Sequence, residues 1–280
     1  MLRTALILRA FILAVTVSLL AAACSSSSAG RGASATDHGG RTTTTAAGTP
    51  TTKASTTTTV APSTTSTTTP APSTTTTTTT PKPAALQRGS SGPAVLAVQQ
   101  RLVALGYWID SVNGTFGDAT QQAVYAYQKV AGIPADGSVG PVTLAALGRG
   151  ARPSARSHSG HVVEIDLERD LLMVVDNGAV TTVLNTSTGG GYVYRSGNST
   201  SRAITPRGNF AVYRQINGMR VSALGELWRP KYFDGGFAVH GDSYVPASPV
   251  SHGCARVSNE AINWIWAANV MPLGTPVWVY

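Results

Sequence analysis

The sequence predicts a multidomain chain: a disordered N-terminal tether, a small three-helix bundle, then a mainly β domain with one short helix. Three observations predict it. Between Thr42 and Thr80, 23 of 39 residues are Thr and no apolar periodicity exists, so nothing there offsets the entropy of ordering the chain. Between Val95 and Leu147 apolar residues recur at helical spacing, punctuated by glycines. From His161 onward the pattern changes to short runs of Val, Ile and Leu, two of them joined by Asn177-Gly178, a strong hairpin signal.

The chain has 280 residues, a formal charge of +8, 12% charged residues and two cysteines, Cys24 and Cys254. Two cysteines exclude a disulfide framework and a four-cysteine zinc site. A charged fraction of 12% is about half that of a typical soluble domain, and the Thr-rich tether accounts for it. The excess of basic residues lies in the N-terminal segments and the helical module, while residues 160–280 carry nine bases and nine acids. No Lys/Arg cluster with interleaved aromatics occurs in either folded segment, which argues against a nucleic-acid partner. Residues 84–159, with six bases and three acids, carry a modest bias towards anionic polymers.

Residues 1–24 begin with Arg3 and Arg9 and continue as an apolar run from Ala10 to Ala23, broken only by Thr16 and Ser18. That run is shorter than the roughly 20 residues a stable span needs, and it fits a secretory signal. Its end, Ala21-Ala22-Ala23-Cys24, resembles the lipobox of bacterial lipoproteins, with Ala21 where those proteins usually have Leu. The resemblance implies lipidation of Cys24, a membrane partner through that anchor, and an exported chain on the outer face of the cytoplasmic membrane that reaches the cell wall. The alternative is a plain signal peptide cut near Ala23. Residues 25–83 form the disordered linker, a coil that spans roughly 40 Å and reaches about 180 Å when fully extended.

Residues 84–150 form the helical module. Val95, Val98, Leu102 and Leu105 share one helix face, and Gly106 stops it. A second helix is predicted over Asp118–Val130, capped by Asp118 or Gly117. A third starts near Pro141 and includes Leu144 and Leu147. Leu86, Gly89, Gly92, Val95, Gln99, Leu102, Gly106, Tyr107, Gly114, Phe116, Gly117, Thr120, Ala123, Val124, Gln128, Gly132, Asp136, Gly137, Gly140 and Thr143 match the pattern of the type 1 peptidoglycan-binding domain. The resemblance implies binding to cell-wall glycan or stem peptide; the alternative is a spacer that binds nothing.

Residues 160–280 form the β domain, long enough for its own core. Strands are predicted at His161–Asp166, Leu171–Asp176, Val180–Asn185, Phe210–Arg214, Phe237–His240 and Pro276–Val279. The one helix is predicted over Asn259–Asn269, capped by Ser258, with Ile262, Ile265 and Trp266 inward. His240, His252 and Cys254 fall within fifteen residues. A free thiol is mostly protonated at neutral pH and the thiolate is the nucleophile. A neighbouring imidazole can take that proton, and backbone N–H groups of the Gly253-Cys254 turn can stabilise an acyl oxyanion. His38 and His158 lie in polar stretches, and His161 begins a strand.

Ser251, His252, Gly253, Cys254 and Arg256, preceded by His240-Gly241, by Ser187-Thr188-Gly189 and by Thr205-Pro206-Arg207-Gly208 with Phe210, resemble the signature of the YkuD-type L,D-transpeptidases. The resemblance implies Cys254 as nucleophile and His240 as its base and later its acid. It places the oxyanion hole at backbone amides of His252, Gly253 and Cys254, with His252 shaping the site. Ser251, Arg256, Gly241 and Tyr232 would contact substrate, Arg256 holding the loop or a substrate carboxylate. The chain departs from the pattern in its ten-residue stretch between His240 and Ser251 and in its small Ala255. Because Gly241 follows the base, a backbone carbonyl is expected to orient the imidazole. Trp228, Tyr232 and Phe233 precede the base, in a region that lines the family's cleft.

The implied activity is cross-linking of peptidoglycan through a cysteine thioester, with release of D-Ala from tetrapeptide stems and formation of 3→3 links. The implied inhibitor class is the carbapenems. The alternatives are an L,D-carboxypeptidase that trims tetrapeptides and a non-catalytic wall-binding lipoprotein. No cofactor is implied. A zinc site from His240, His252 and Cys254 would suit three protein ligands plus water, but the spacing matches no zinc motif, so no metal is expected.

Overall fold

The computed structural model describes residues 84–280; the signal segment, Cys24 and the tether lie outside the described residues. Three helices come first: α1 (Pro93–Ala104), α2 (Asp118–Ala131) and α3 (Pro141–Arg149). α1 and α3 each start on proline, which needs no hydrogen-bond donor in a first turn. For α1 this moves the start two residues ahead of the apolar stripe. The cap of α2 is Gly117, without a side-chain bond, and Asp118 is the acid of the first turn.

The β domain follows with β1 (His161–Asp166), β2 (Leu171–Asp176), β3 (Ala179–Asn185), β4 (Val193–Ser196), β5 (Ser199–Arg202) and β6 (Gly208–Ala211). Next come β7 (Arg214–Gln215), β8 (Met219–Ser222), β9 (Gly225–Asp234), β10 (Phe237–Asp242), β11 (Ala255–Ser258), α4 (Asn259–Ala267) and β12 (Pro276–Val279). Asn177-Gly178 turns β2 into β3 as the sequence predicts. One sheet runs β3-β2-β1-β12-β6 and a second β11-β10-β9-β7, with β8 also on β9; β4 and β5 form a separate hairpin. Ser258 caps α4 by accepting from the Ala261 amide.

The single strand predicted over Phe210–Arg214 is two strands. Val212 N donates to Thr275 O, and Tyr213 N donates to Tyr232 O. The chain changes sheets between these two residues, so β6 pairs with β12 and β7 with β9. β4, β5, β8, β9 and β11 escaped the sequence prediction.

The run Leu171–Val175 is apolar throughout because both faces of β2 are covered. Leu171, Met173 and Val175 pack with Leu102, Tyr107, Val124 and Tyr127 of the helical module. Leu172 and Val174 pack instead with Val239, Val257 and Ile262 of the second sheet and α4. A strand buried on both faces loses polar alternation. The domain therefore does not close its core alone: the helical module covers one face of its first sheet.

Polar contacts reinforce this junction. Lys129 Nζ of α2 donates to Asn185 Oδ1 (2.6 Å), Asp170 O (2.9 Å) and Thr186 O (3.2 Å). Burial lowers its ammonium to about 8, opposed by the Asp170 carboxylate, so near pH 7 three N–H bonds meet three acceptors. Asn185 Nδ2 donates onward to Gln122 Oε1 (2.7 Å), and Gln122 Nε2 to Val245 O (2.9 Å). Lys129→Met keeps the apolar stem and strands those buried acceptors. It is expected to cost about 2 kcal/mol and to lower Tm by about 4–8 °C, measured by thermal unfolding of the full chain. An unchanged or raised Tm would mean that desolvating the ammonium outweighs its bonds.

Candidate active site

Cys254 ends the loop between β10 and β11, and its backbone is held from three sides. Within the loop, Ser251 Oγ donates to Cys254 O (2.6 Å) and accepts from Gly253 N (2.9 Å). From one flank Thr205 Oγ1 donates to Gly253 O (2.7 Å) while accepting from Gly189 N (2.9 Å). From the other, Ser187 and Arg256 exchange N–H···O bonds of 3.1 and 3.0 Å, and Ser251 N donates to Thr188 O (2.9 Å). The sequence landmarks at 187–189 and 205 thus buttress the cysteine loop. Gly253 has φ 141°, and a Cβ there would strike the Phe237 ring, so no other residue fits without moving the loop.

Cys254 and His240 line one cavity of about 490 Å³ together with Ser251, His252, Arg256 and Tyr232. The thiol is half-buried, with Sγ 3.8 Å from Gly236 O. Burial pushes the thiol up, against the Ala238 backbone and the Arg256 guanidinium, which lower it. His240 is 4% exposed. Its Nδ1 lies 2.9 Å from Gly241 O; a carbonyl only accepts, so Nδ1 carries the hydrogen and Nε2 is left as the acceptor. Burial pushes the imidazole down, opposed by the Gly241 carbonyl and Asp242. Among the described residues no hydrogen bond joins His240 to Cys254, a looseness common before substrate binds.

The other expected residues divide. His252 meets the edges of Tyr194 (4.6 Å between centroids) and Tyr192 (5.6 Å). Arg256 Nε lies 3.2 Å from Asp242 Oδ2, close enough for an ion pair but not aligned as a hydrogen bond. Tyr232 packs beside Cys254, Leu227 and Ala238 with Arg214 over its ring. Gly241 stands behind the cavity wall: a Cβ there would meet Ile262 Cγ2 at 2.5 Å and Asn259 Oδ1 at 2.6 Å. The Gly253 amide is already engaged by Ser251 Oγ, which leaves the amides of His252 and Cys254 from the expected set. Trp228 and Phe233 belong to the core between the sheets, with Trp228 Nε1 donating to Asn263.

The structure adds Tyr194, Arg214, Arg220 and Glu226 to the cavity wall. Tyr194 sits on the β4–β5 hairpin, whose Gly197-Asn198 turn is a recognisable two-residue signal. Arg214 and Arg220 had no such mark; they reach the site only through the sheet change and the β8–β9 hairpin. Among the described residues no group of three or more His, Cys, Asp or Glu is placed to hold a metal ion.

This geometry has close counterparts. A family model described as the L,D-transpeptidase catalytic domain matches residues 160–279. The crystal structure of the L,D-transpeptidase (residues 123–326) from Xylanimonas cellulosilytica DSM 15894 is 56% identical, covers 72% of this chain and all of that one, and superposes with a TM-score of 0.69. The chain belongs to the YkuD-type L,D-transpeptidase family. An adjacent peptidoglycan-binding domain model matches residues 91–147. Among curated proteins, the N-acetylmuramoyl-L-alanine amidase CwlL of Bacillus licheniformis is 42% identical over 78 residues, 27% of this chain and 22% of the amidase. A probable N-acetylmuramoyl-L-alanine amidase of the same species is 47% identical over 64 residues, 22% of this chain and 18% of that protein. The chain thus spans about a fifth of the length of these curated relatives.

In this transpeptidase-family site, burial holds His240 neutral, whereas His161 on β1 faces two acceptors, Asp176 Oδ1 (2.6 Å) and Val270 O (2.7 Å). At His161 burial lowers the pKa, but the Asp176 bond and the Val270 carbonyl outweigh it and the net shift is upward. For His240 the unfolded chain binds the proton first, so its stabilising effect is lost as pH falls below 6.5. For His161 the sign reverses, and its effect is lost as pH rises through its raised pKa. An NMR titration of the imidazole C–H signals is expected to place His240 below 6.5 and His161 above it. The opposite order contradicts the two environments.

Proposed function

We propose that the chain is a peptidoglycan L,D-transpeptidase that forms 3→3 cross-links through a thioester on Cys254. The observation that carries this is the pairing, in one cavity, of a half-buried thiol with a neutral imidazole whose Nδ1–H is fixed on the Gly241 carbonyl. That arrangement leaves Nε2 as the base.

His240 Nε2 takes the Cys254 proton as Sγ adds to the carbonyl between the third stem residue, a diamino acid, and the terminal D-Ala. The oxyanion faces the His252 and Cys254 amides. His240 returns the proton to the D-Ala nitrogen, the C–N bond breaks and a thioester remains. An amine of a second stem then attacks, giving up a proton through His240, and the thiol is restored. Water in place of the amine would make the product a trimmed tripeptide. Arg214, Arg220 and Arg256 outnumber Glu226 and Asp242 in the cavity wall, which suits the terminal carboxylate of the donor stem. Ser251 and His252 shape the site, and Gly241 acts by letting α4 approach rather than by touching substrate.

The signal at residues 1–24, lipidation at Cys24 and the linker at 25–83 complete the proposal. They would anchor an exported enzyme to the outer face of the cytoplasmic membrane and let residues 84–150 and 160–280 work in the wall. Incubation with disaccharide-tetrapeptide followed by mass analysis is expected to give a cross-linked dimer and free D-Ala. The Cys254→Ala chain is expected to lose both products, by at least about 10³-fold in rate. Product formation by that variant would sink the mechanism, and tripeptide without dimer would favour the carboxypeptidase.

A further inference from the structure

A second cavity, of about 320 Å³, lies between the helical module and the β domain. Its walls include Asp118, Gln121 and Tyr125 of α2, Tyr244 of the loop after β10, and Glu260 of α4. Asp242 lines both this cavity and the one that holds Cys254. The two cavities therefore adjoin across the Asp242–Arg256 pair, two residues beyond His240.

The walls are preformed. Gln122 ties the loop to α2 through Val245 O, and Tyr244 N donates to Asp242 Oδ1 (2.9 Å). The Tyr125 ring backs onto Gly137, while Tyr244 stands 65% exposed, a large aromatic with no core to fill. Arg88 is neutralised by Asp118 at 2.6 Å and Asp242 by Arg256. Among the described residues Glu260 has no ion-pair partner, so the residual charge is negative. A phosphate polymer or nucleic acid meets repulsion there. Two tyrosine rings among amide and carboxylate groups suit an uncharged ligand with apolar faces and many hydroxyls.

We infer that this cavity is a saccharide subsite, holding an uncharged hexosamine of the glycan strand while the stem attached to that strand enters the Cys254 cavity. The inference rests on the acyl-transfer proposal for the identity of the stem. The module would then read the wall at the junction, beside the chemistry, and orient the donor by its sugar.

The test compares free tetrapeptide with disaccharide-tetrapeptide on the full chain. In Tyr244→Ala the ratio of kcat/KM, glycosylated over free, is expected to fall about fivefold or more; Tyr244→Phe, which keeps the ring, is expected to lose less. An unchanged ratio in Tyr244→Ala overturns the inference. A wild-type chain that turns over neither substrate refutes the acyl-transfer proposal instead. The subsite is then decided by calorimetric titration of stem-free glycan oligomers into the wild-type chain and Tyr244→Ala. Binding weakened about fivefold or more in the variant upholds it. Equal binding, no binding by the wild type, or displacement of the glycan by a glycerol-phosphate polymer overturns it.

Discussion

The short segment Asn185–Thr188 must satisfy polar groups on two sides at once, and the rest of the structure is arranged around that requirement. Behind it, Lys129 of the helical module donates to Asn185 and Thr186. In front of it, Ser187 and Thr188 bond to Arg256 and Ser251 at the two ends of the cysteine motif. Buried backbone groups are almost always paired, so neither side can shift without stranding donors or acceptors on the other. Two segments that match separate family models therefore behave as one packed body, with β2 as the shared layer.

The same burial that rigidifies the site sets its chemistry. Cys254 and His240 are both held in their neutral forms, the thiol by a raised pKa and the imidazole by a lowered one. A resting thiolate–imidazolium pair is disfavoured, and in the proposed mechanism the proton moves only when substrate enters. Gly241 contributes twice: its carbonyl fixes the imidazole, and its missing side chain leaves room for Ile262 and Asn259 of α4. Arg256, ion-paired with Asp242, lowers the pKa of both groups, and at His240 Asp242 opposes it.

Much of this was legible in the sequence where the signal is local. Helix stripes, the Asn177-Gly178 turn, the Ser258 cap and the His240…Cys254 spacing depend on neighbours along the chain. The apolar run at Leu171–Val175 was visible, but its second covered face depends on helices fifty residues away. β8 and the start of β9 were missed because Met219–Glu226 is mostly exposed and shows no alternation. Arg214 and Arg220 were missed for the same reason: a guanidinium has no positional signature until the sheets bring it to the cavity. Gly241 was expected at the substrate and stands behind the wall, since a glycine after a catalytic histidine reads alike whether it admits substrate or a packing helix.

The central claim is that Cys254 is the nucleophile and that His240 activates it. Intact-mass spectrometry of the full chain after exposure to a carbapenem, followed by peptide mapping, tests this most directly. One adduct mapped to Cys254, formed at a rate that falls at least about a hundredfold in His240→Ala, is the predicted result. An adduct on another residue, or an undiminished rate without His240, would contradict it.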